Sequence, residues 1–180
     1  LDCHDGQIMT AHIVTVRPVL FSKTADSYAG STSADDWVLD HAEVSSQMQD
    51  AKEVDALIIR VVLPESLLLS GVFSGAGAPY FTTEAMQFIH AFLPQSGHLL
   101  TNLPSIDREQ CGGHTPNHRI FWGLETHAKK GTNATHGHRV LTELIRSEFD
   151  MPDGPCVLDL HIAPLDTDAA PSRPVLYRLK

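Results

Sequence analysis

Histidine and carboxylate chemistry is concentrated in residues 117–144, NHRIFWGLETHAKKGTNATHGHRVLTEL, which hold His118, His127, His136, His138 and two glutamates. His136 and His138 form an HxH pair, and on a strand positions i and i+2 share a face and could bind one metal. Their setting, KKGTNATHGHR, is rich in Gly, Thr and Asn and reads instead as a loop. His118 opens HRIFW, whose apolar residues would anchor the backbone around a neutral imidazole, as a metal ligand requires. The ordinary role for such a histidine is a backbone bond at a helix end. Glu143 lies in VLTELI between apolar neighbours. A carboxylate there is costly unless it is paired, ligates a cation or sits on the wet face of an edge strand. Ser105, Asp107, Arg108 and Glu109 follow a strand end, where sites of α/β sheets form, although a turn closed by Asp107 would use the same residues. A serine triad on Ser105 lacks a GxSxG elbow. Asp166 and Asp168 fall in a Pro/Ala-rich turn.

The elements that would position these residues alternate between strand and helix. Residues 11–21 and 55–63 read as strands, and the nearly continuous apolar run of the second predicts a sheet covered on both faces. Residues 22–36 read as a loop, and Val38, Ala42 and Met48 give 37–51 a helical spacing. TTEAMQFIHAFL (82–93) has a Thr cap, an acidic first turn and apolar residues at Ala85, Phe88, Ile89 and Phe92, which predicts a helix. A strand over 97–104 follows, so a right-handed crossover is expected. PNHRIFWGL predicts a short helix, and 139–148, 153–165 and 173–179 predict strands. The expected fold is a single α/β domain with a mixed sheet.

At 180 residues the chain is long enough for one domain with a sizeable core. A net charge of −9 argues against a nucleic-acid partner, which requires a basic face. No apolar run reaches the roughly 18 residues of a membrane span. Cys3, Cys111 and Cys156 form no CxxC pattern, so a reducing, cytoplasmic setting is expected. The NAT sequon at Asn133 has no secretory signal beside it.

HLLTNLPSIDRE, GG, NHRIFWG, TELI and MPDGPCVLDLHIAPLDTDAAPSRPVLY, taken in order, resemble the C-terminal part of the cyclase family. That family contains kynurenine formamidase and isatin hydrolase. DALIIRVVL and PYFTTEAMQFI match the strand and helix that precede this part, so the resemblance covers about residues 11–180. It implies a swivelling β/β/α-type fold, usually homo-oligomeric. It also implies a divalent metal, zinc or manganese, that activates water against an amide or lactam bond of a small molecule. The matching metal ligands are His118 and Glu143, and THAKKGTNATHGH between them resembles an insertion. The family's HxGTHxD motif does not occur in this chain. LDC resembles the end of that motif, which would leave Asp2 as its surviving ligand and His4 beside the place of the proton-shuttle histidine. Leu1 is not an initiator, so a piece of a longer protein is expected. Loss of N-terminal strands would expose a sheet edge and favour oligomers. The alternative is a non-catalytic family member that keeps the fold and an oligomer interface.

Overall fold

The computed structural model describes residues 7–51, 54–65, 67, 71–75, 77–125, 132–146, 150–167 and 169–179. Its strands are β1 (Gln7–Val16), β2 (Val19–Leu20), β3 (Trp37–Leu39), β4 (Ala56–Val61), β5 (Tyr80–Phe81), β6 (His98–Thr101), β7 (Val140–Thr142), β8 (Gly154–Ile162) and β9 (Ser172–Arg178). The helices are α1 (His41–Gln47), α2 (Thr83–Phe92) and α3 (Pro116–Phe121). Among the described residues, six strands form a mixed sheet in the order β7-β6-β4-β1-β8-β9, and β2-β3-β5 form a smaller one. β1, β4, β6 and β7 run parallel, whereas β8 is antiparallel to both β1 and β9.

The apolar run over 55–63 becomes β4, near the middle of the sheet, with both faces covered as the sequence implies. Leu57, Ile59 and Val61 pack with Val44 of α1 and Met48 just after it, Met86 and Ile89 of α2, and Phe121 of α3. Ala56 and Ile58 face a second cluster with Met9, Ala11 and Ile13 of β1 and Leu158 and Leu160 of β8. The helix expected over 82–93 forms as α2, and the Thr82 hydroxyl accepts from the Ala85 amide at its start.

Three expected elements are corrected. The strand over 11–21 splits into β1 and β2, which belong to different sheets. Pro18 lies between them and offers no N–H to continue a ladder. The helix expected over 37–51 begins as β3 and becomes helical only after Asp40, whose side chain caps α1 by accepting from the Glu43 amide. The strand over 139–148 is only β7, because the chain turns at Leu144, with φ +56°.

Asp107 and Glu143 both follow the C-terminal ends of parallel strands, β6 and β7. No described helix is long and apolar enough to cross a membrane. Cys111 and Cys156 are free and buried.

Candidate metal centre

The segment after β6 is tied down before it reaches the site. The Asn102 side chain accepts from the Val61 amide and donates to the Val61 carbonyl, which fixes the loop to the end of β4. The Ser105 hydroxyl then accepts from the Asp107 amide at 3.1 Å and turns the Asp107 carboxylate inward. That carboxylate is 3% exposed and takes four donors. Oδ1 accepts from the Tyr28 hydroxyl at 2.9 Å and the Asn117 amide at 2.8 Å. Oδ2 accepts from the His118 amide at 3.2 Å and pairs with His118 Nδ1 at 2.7 Å. Asp107 thus serves as a remote cap for α3, whose own N-cap residue, Thr115, makes no side-chain cap. Asn117 donates to the carbonyls of Phe81 and Ile106 and locks the helix start against β5.

His118 is therefore held by its backbone and its ring together. A carboxylate accepts, so the proton of the pair lies on Nδ1, and whenever the ring is neutral Nε2 presents a lone pair. Nε2 points at Glu143, with Oε1 at 3.6 Å. The same Oε1 accepts from the Ile106 amide at 2.7 Å. Trp122 lies beside the His118 ring with centroids 5.6 Å apart, and its indole donates to the Arg139 carbonyl. Thr115 and Leu144 are the non-glycine residues with positive φ among the described residues, and both adjoin this site. Such strain persists only where the surroundings enforce it.

Burial alone would lower the His118 pKa, but the bond to Asp107 and the charge of Glu143 reverse this and hold it above the usual value. Burial raises Glu143, and His118 and the Ile106 amide only partly offset it. The two side chains are about a quarter exposed, at 21% and 24%, so solvent still reaches them.

This donor pair fits a divalent cation. The 3.6 Å separation is too long for a hydrogen bond. Two ligands of a tetrahedral ion with bonds of ~2.1 Å stand about 3.4 Å apart. Imidazole and carboxylate suit zinc and manganese alike. No third His, Cys, Asp or Glu joins them among the described residues, so what they supply is half of a cage.

His118 Nε2 and Glu143 Oε1, the ligands the resemblance implies, lie 3.6 Å apart. Asp2 and His4 lie outside the described residues, as do His127 and Asp168. His136 and His138 sit in a turn rather than a strand, and His136 packs edge-on against His90 at 4.6 Å. Asp166 lies in the loop between β8 and β9. Asp107 does pair with a histidine, but the Ser105 hydroxyl bonds to the Asp107 amide and to Glu143, which leaves no triad built on Ser105. Tyr28 and Asn117 had no signal in the sequence, because each acts through a partner that only folding supplies.

No family model matches the chain, and no curated protein matches it. Solved structures do. One, described as a potential metal-dependent hydrolase with cyclase activity, aligns over 94% of this chain and 64% of its own, with TM-score 0.54 and 16% identity. A predicted metal-dependent hydrolase from Bacillus stearothermophilus aligns over 94% of this chain and 63% of its own, with the same TM-score, 0.54, and 16% identity. The chain spans less than two thirds of the length of each. At this identity the likeness is one of fold alone.

Proposed function

We propose that the protein belongs to a metal-dependent hydrolase that cleaves an amide or lactam C–N bond of a small molecule, as an arylformamidase does. The observation that carries this reading is the convergence of His118 Nε2 on Glu143 while Asp107 occupies Nδ1. The fold shared with structures described as metal-dependent hydrolases supports it.

His118 and Glu143 would hold the cation. When bound, a zinc or manganese ion would polarise the scissile carbonyl and bring the pKa of a water towards neutrality. The rest is the work of the chain itself. Asp107 keeps the His118 proton on Nδ1 and so leaves Nε2 free to bind. The Ile106 amide turns one Glu143 oxygen towards His118. Trp122 packs beside the imidazole, with ring centroids 5.6 Å apart. The working unit is expected to be a homo-oligomer.

The test is elemental analysis of the purified protein after incubation with zinc or manganese, followed by hydrolysis of an N-formyl aryl amine. Wild type should hold metal and turn over, and His118→Ala and Glu143→Ala should each lose both. A wild type that stays metal-free with either ion would sink the proposal and favour a non-catalytic role built on the fold.

A further inference from the structure

Outside the candidate metal centre, two histidines cluster on a buried cation. Arg139 Nη1 donates to His90 Nδ1 at 2.9 Å, and the His136 ring stands edge-on to His90 with centroids 4.6 Å apart. A guanidinium keeps its protons, so this contact requires a neutral His90 ring whose Nδ1 lone pair accepts. Arg139 is buried and anchored by its other bonds, to the carbonyls of His90, Leu93, Pro94 and Phe121. His90 and His136 are only half-buried, so water can deliver a proton to either ring.

The cluster is tied to Trp122. The His136 amide donates to the Trp122 carbonyl, the Arg139 amide to the His136 carbonyl, and the Trp122 indole to the Arg139 carbonyl. A displacement of the turn over 135–138 therefore reaches Trp122, and through it the ring of His118.

His90 faces Arg139, just before β7, and His136 in the turn. The end of α3 presents the carbonyls of Phe121 and Ile120, which favour a charged ring but are outweighed. His136 faces Arg139 and His90, and its Nδ1 lies 3.0 Å from the Thr135 hydroxyl. Among the described residues no carboxylate acts on either ring. Burial first, and then these positive groups, hold both rings below the usual histidine value.

We infer that His90, Arg139 and His136 form an acid-operated latch, closed while both rings are neutral, whose opening frees the turn over 135–138 and with it Trp122. A proton on His90 puts an N–H where the lone pair was and a second positive charge beside the first. The guanidinium is anchored, so the ring leaves, and His136 loses the ring it packs on. In the open form both rings meet water and regain an ordinary value of about 6.5. The closed form is therefore fully supported above about pH 6.5, and that support is lost as the pH falls below it. The latch needs neither bound metal nor turnover, so it stands or falls apart from the hydrolase proposal.

The test follows Trp122 by acrylamide quenching in metal-free Trp37→Phe protein, since the chain has two tryptophans. As the pH is lowered from about 7.5 to about 5.5, the quenching constant should rise about twofold, as expected when a packed ring gains access to water, and should return on neutralisation. Far-UV circular dichroism should stay constant. The double variant His90→Gln, His136→Gln in the same background should stay flat, because an amide oxygen accepts from the guanidinium and takes up no proton. It keeps His118, so any effect of that ring on Trp122 is common to both proteins. His138→Gln, exposed and outside the cluster, should respond like the parent. Should the double variant fail to fold, carbon-13 NMR of the histidine rings in the parent decides, with two rings titrating together below about pH 6.5 at the midpoint of the Trp122 change. A flat parent, an equal rise in the double variant, a rise that comes with loss of helix, or histidines that titrate without a change at Trp122 would overturn the inference.

Discussion

Asp107 governs what His118 can do. Its two oxygens take the Tyr28 hydroxyl, two amides at the start of α3, and the Nδ1 proton. Asp107→Asn keeps the volume but turns one oxygen into a donor. If the amide nitrogen faces the ring, His118 must accept at Nδ1 and carry its proton on Nε2, so the lone pair offered to a metal disappears. We expect metal affinity to fall roughly 10–100-fold, in line with the loss of such orienting partners. Competition against a chromogenic chelator would measure it, and unchanged affinity would show that Asp107 does not set the tautomer. Glu143 and His118 were legible in the sequence because each is a polar group in an apolar setting, a conflict visible along the chain. Asp107 was legible as a residue after a strand end, in a site or a turn, but its hold on His118 was not, and its partner Tyr28 lies 79 positions away.

Asp36 supplies the pH test. Burial raises its pKa, but the Arg108 guanidinium at 2.8 Å, the Ser33 amide and the Tyr80 hydroxyl outweigh this and hold it below the usual value. A carboxylate depressed by folding adds stability above its unfolded pKa of about 3.9, and that stability is lost as pH falls through the folded value. Asp36→Asn should therefore melt below wild type at pH 7, and the gap should close as the pH drops below about 4. A gap that stays constant down to pH 3 would mean the ion pair contributes nothing.

At the scale of elements, Arg139 fastens together the parts that carry the site. Its side chain, 4% exposed, donates to the carbonyls of His90, Leu93 and Pro94 at the end of α2 and of Phe121 at the end of α3. It also donates to His90 Nδ1 at 2.9 Å. Burial, and then the charge of Arg139, hold the His90 pKa below its usual value, so the ring stays neutral and accepts. A cation is favoured at a helix C-terminus, and here one guanidinium serves two. Arg139 also immediately precedes β7, and Glu143 immediately follows it. Arg139→Gln would strand several buried carbonyls at a cost of about 3 kcal/mol. For a chain of this length that lowers the melting temperature by roughly 10 °C. Arg139→Lys should restore only part of it, because an ammonium cannot span the fork. A change of under ~2 °C for the glutamine variant would show that water replaces the guanidinium.

Helix α2 and strand β4 were legible because cap, period and apolar run agree along one segment. The join made by Arg139 was not, since five of its bonds reach between 18 and 49 positions back along the chain. Nor was the division of 11–21, where β-branched residues continue up to Pro18 and the decisive event is which sheet each half joins.

At the scale of the molecule, strand direction bears on how the proposed metal cage would be completed. Thr142 pairs with Leu100, Leu100 with Ile58, and Ile58 with Ile13, so Glu143 stands level with Val14. β1 runs towards the site, and Gln7 starts seven residues before that level, about 23 Å back along the strand. Asp2, five residues before Gln7, can lie at most about 18 Å from it. It could share a cation with Glu143 only by doubling back nearly fully extended and crossing from β1 to β7 as well. The resemblance nominated Asp2 because LDC resembles the end of the family's motif, and such a likeness carries no information about which end of a strand faces the site. We therefore expect Asp2→Ala to keep its metal under conditions in which Glu143→Ala loses it, with equilibrium dialysis against zinc and manganese as the measurement. Retention would mean that the remaining donors come from a second copy or from another segment. Loss would mean that the chain before β1 folds back along the sheet and that one copy builds the whole site.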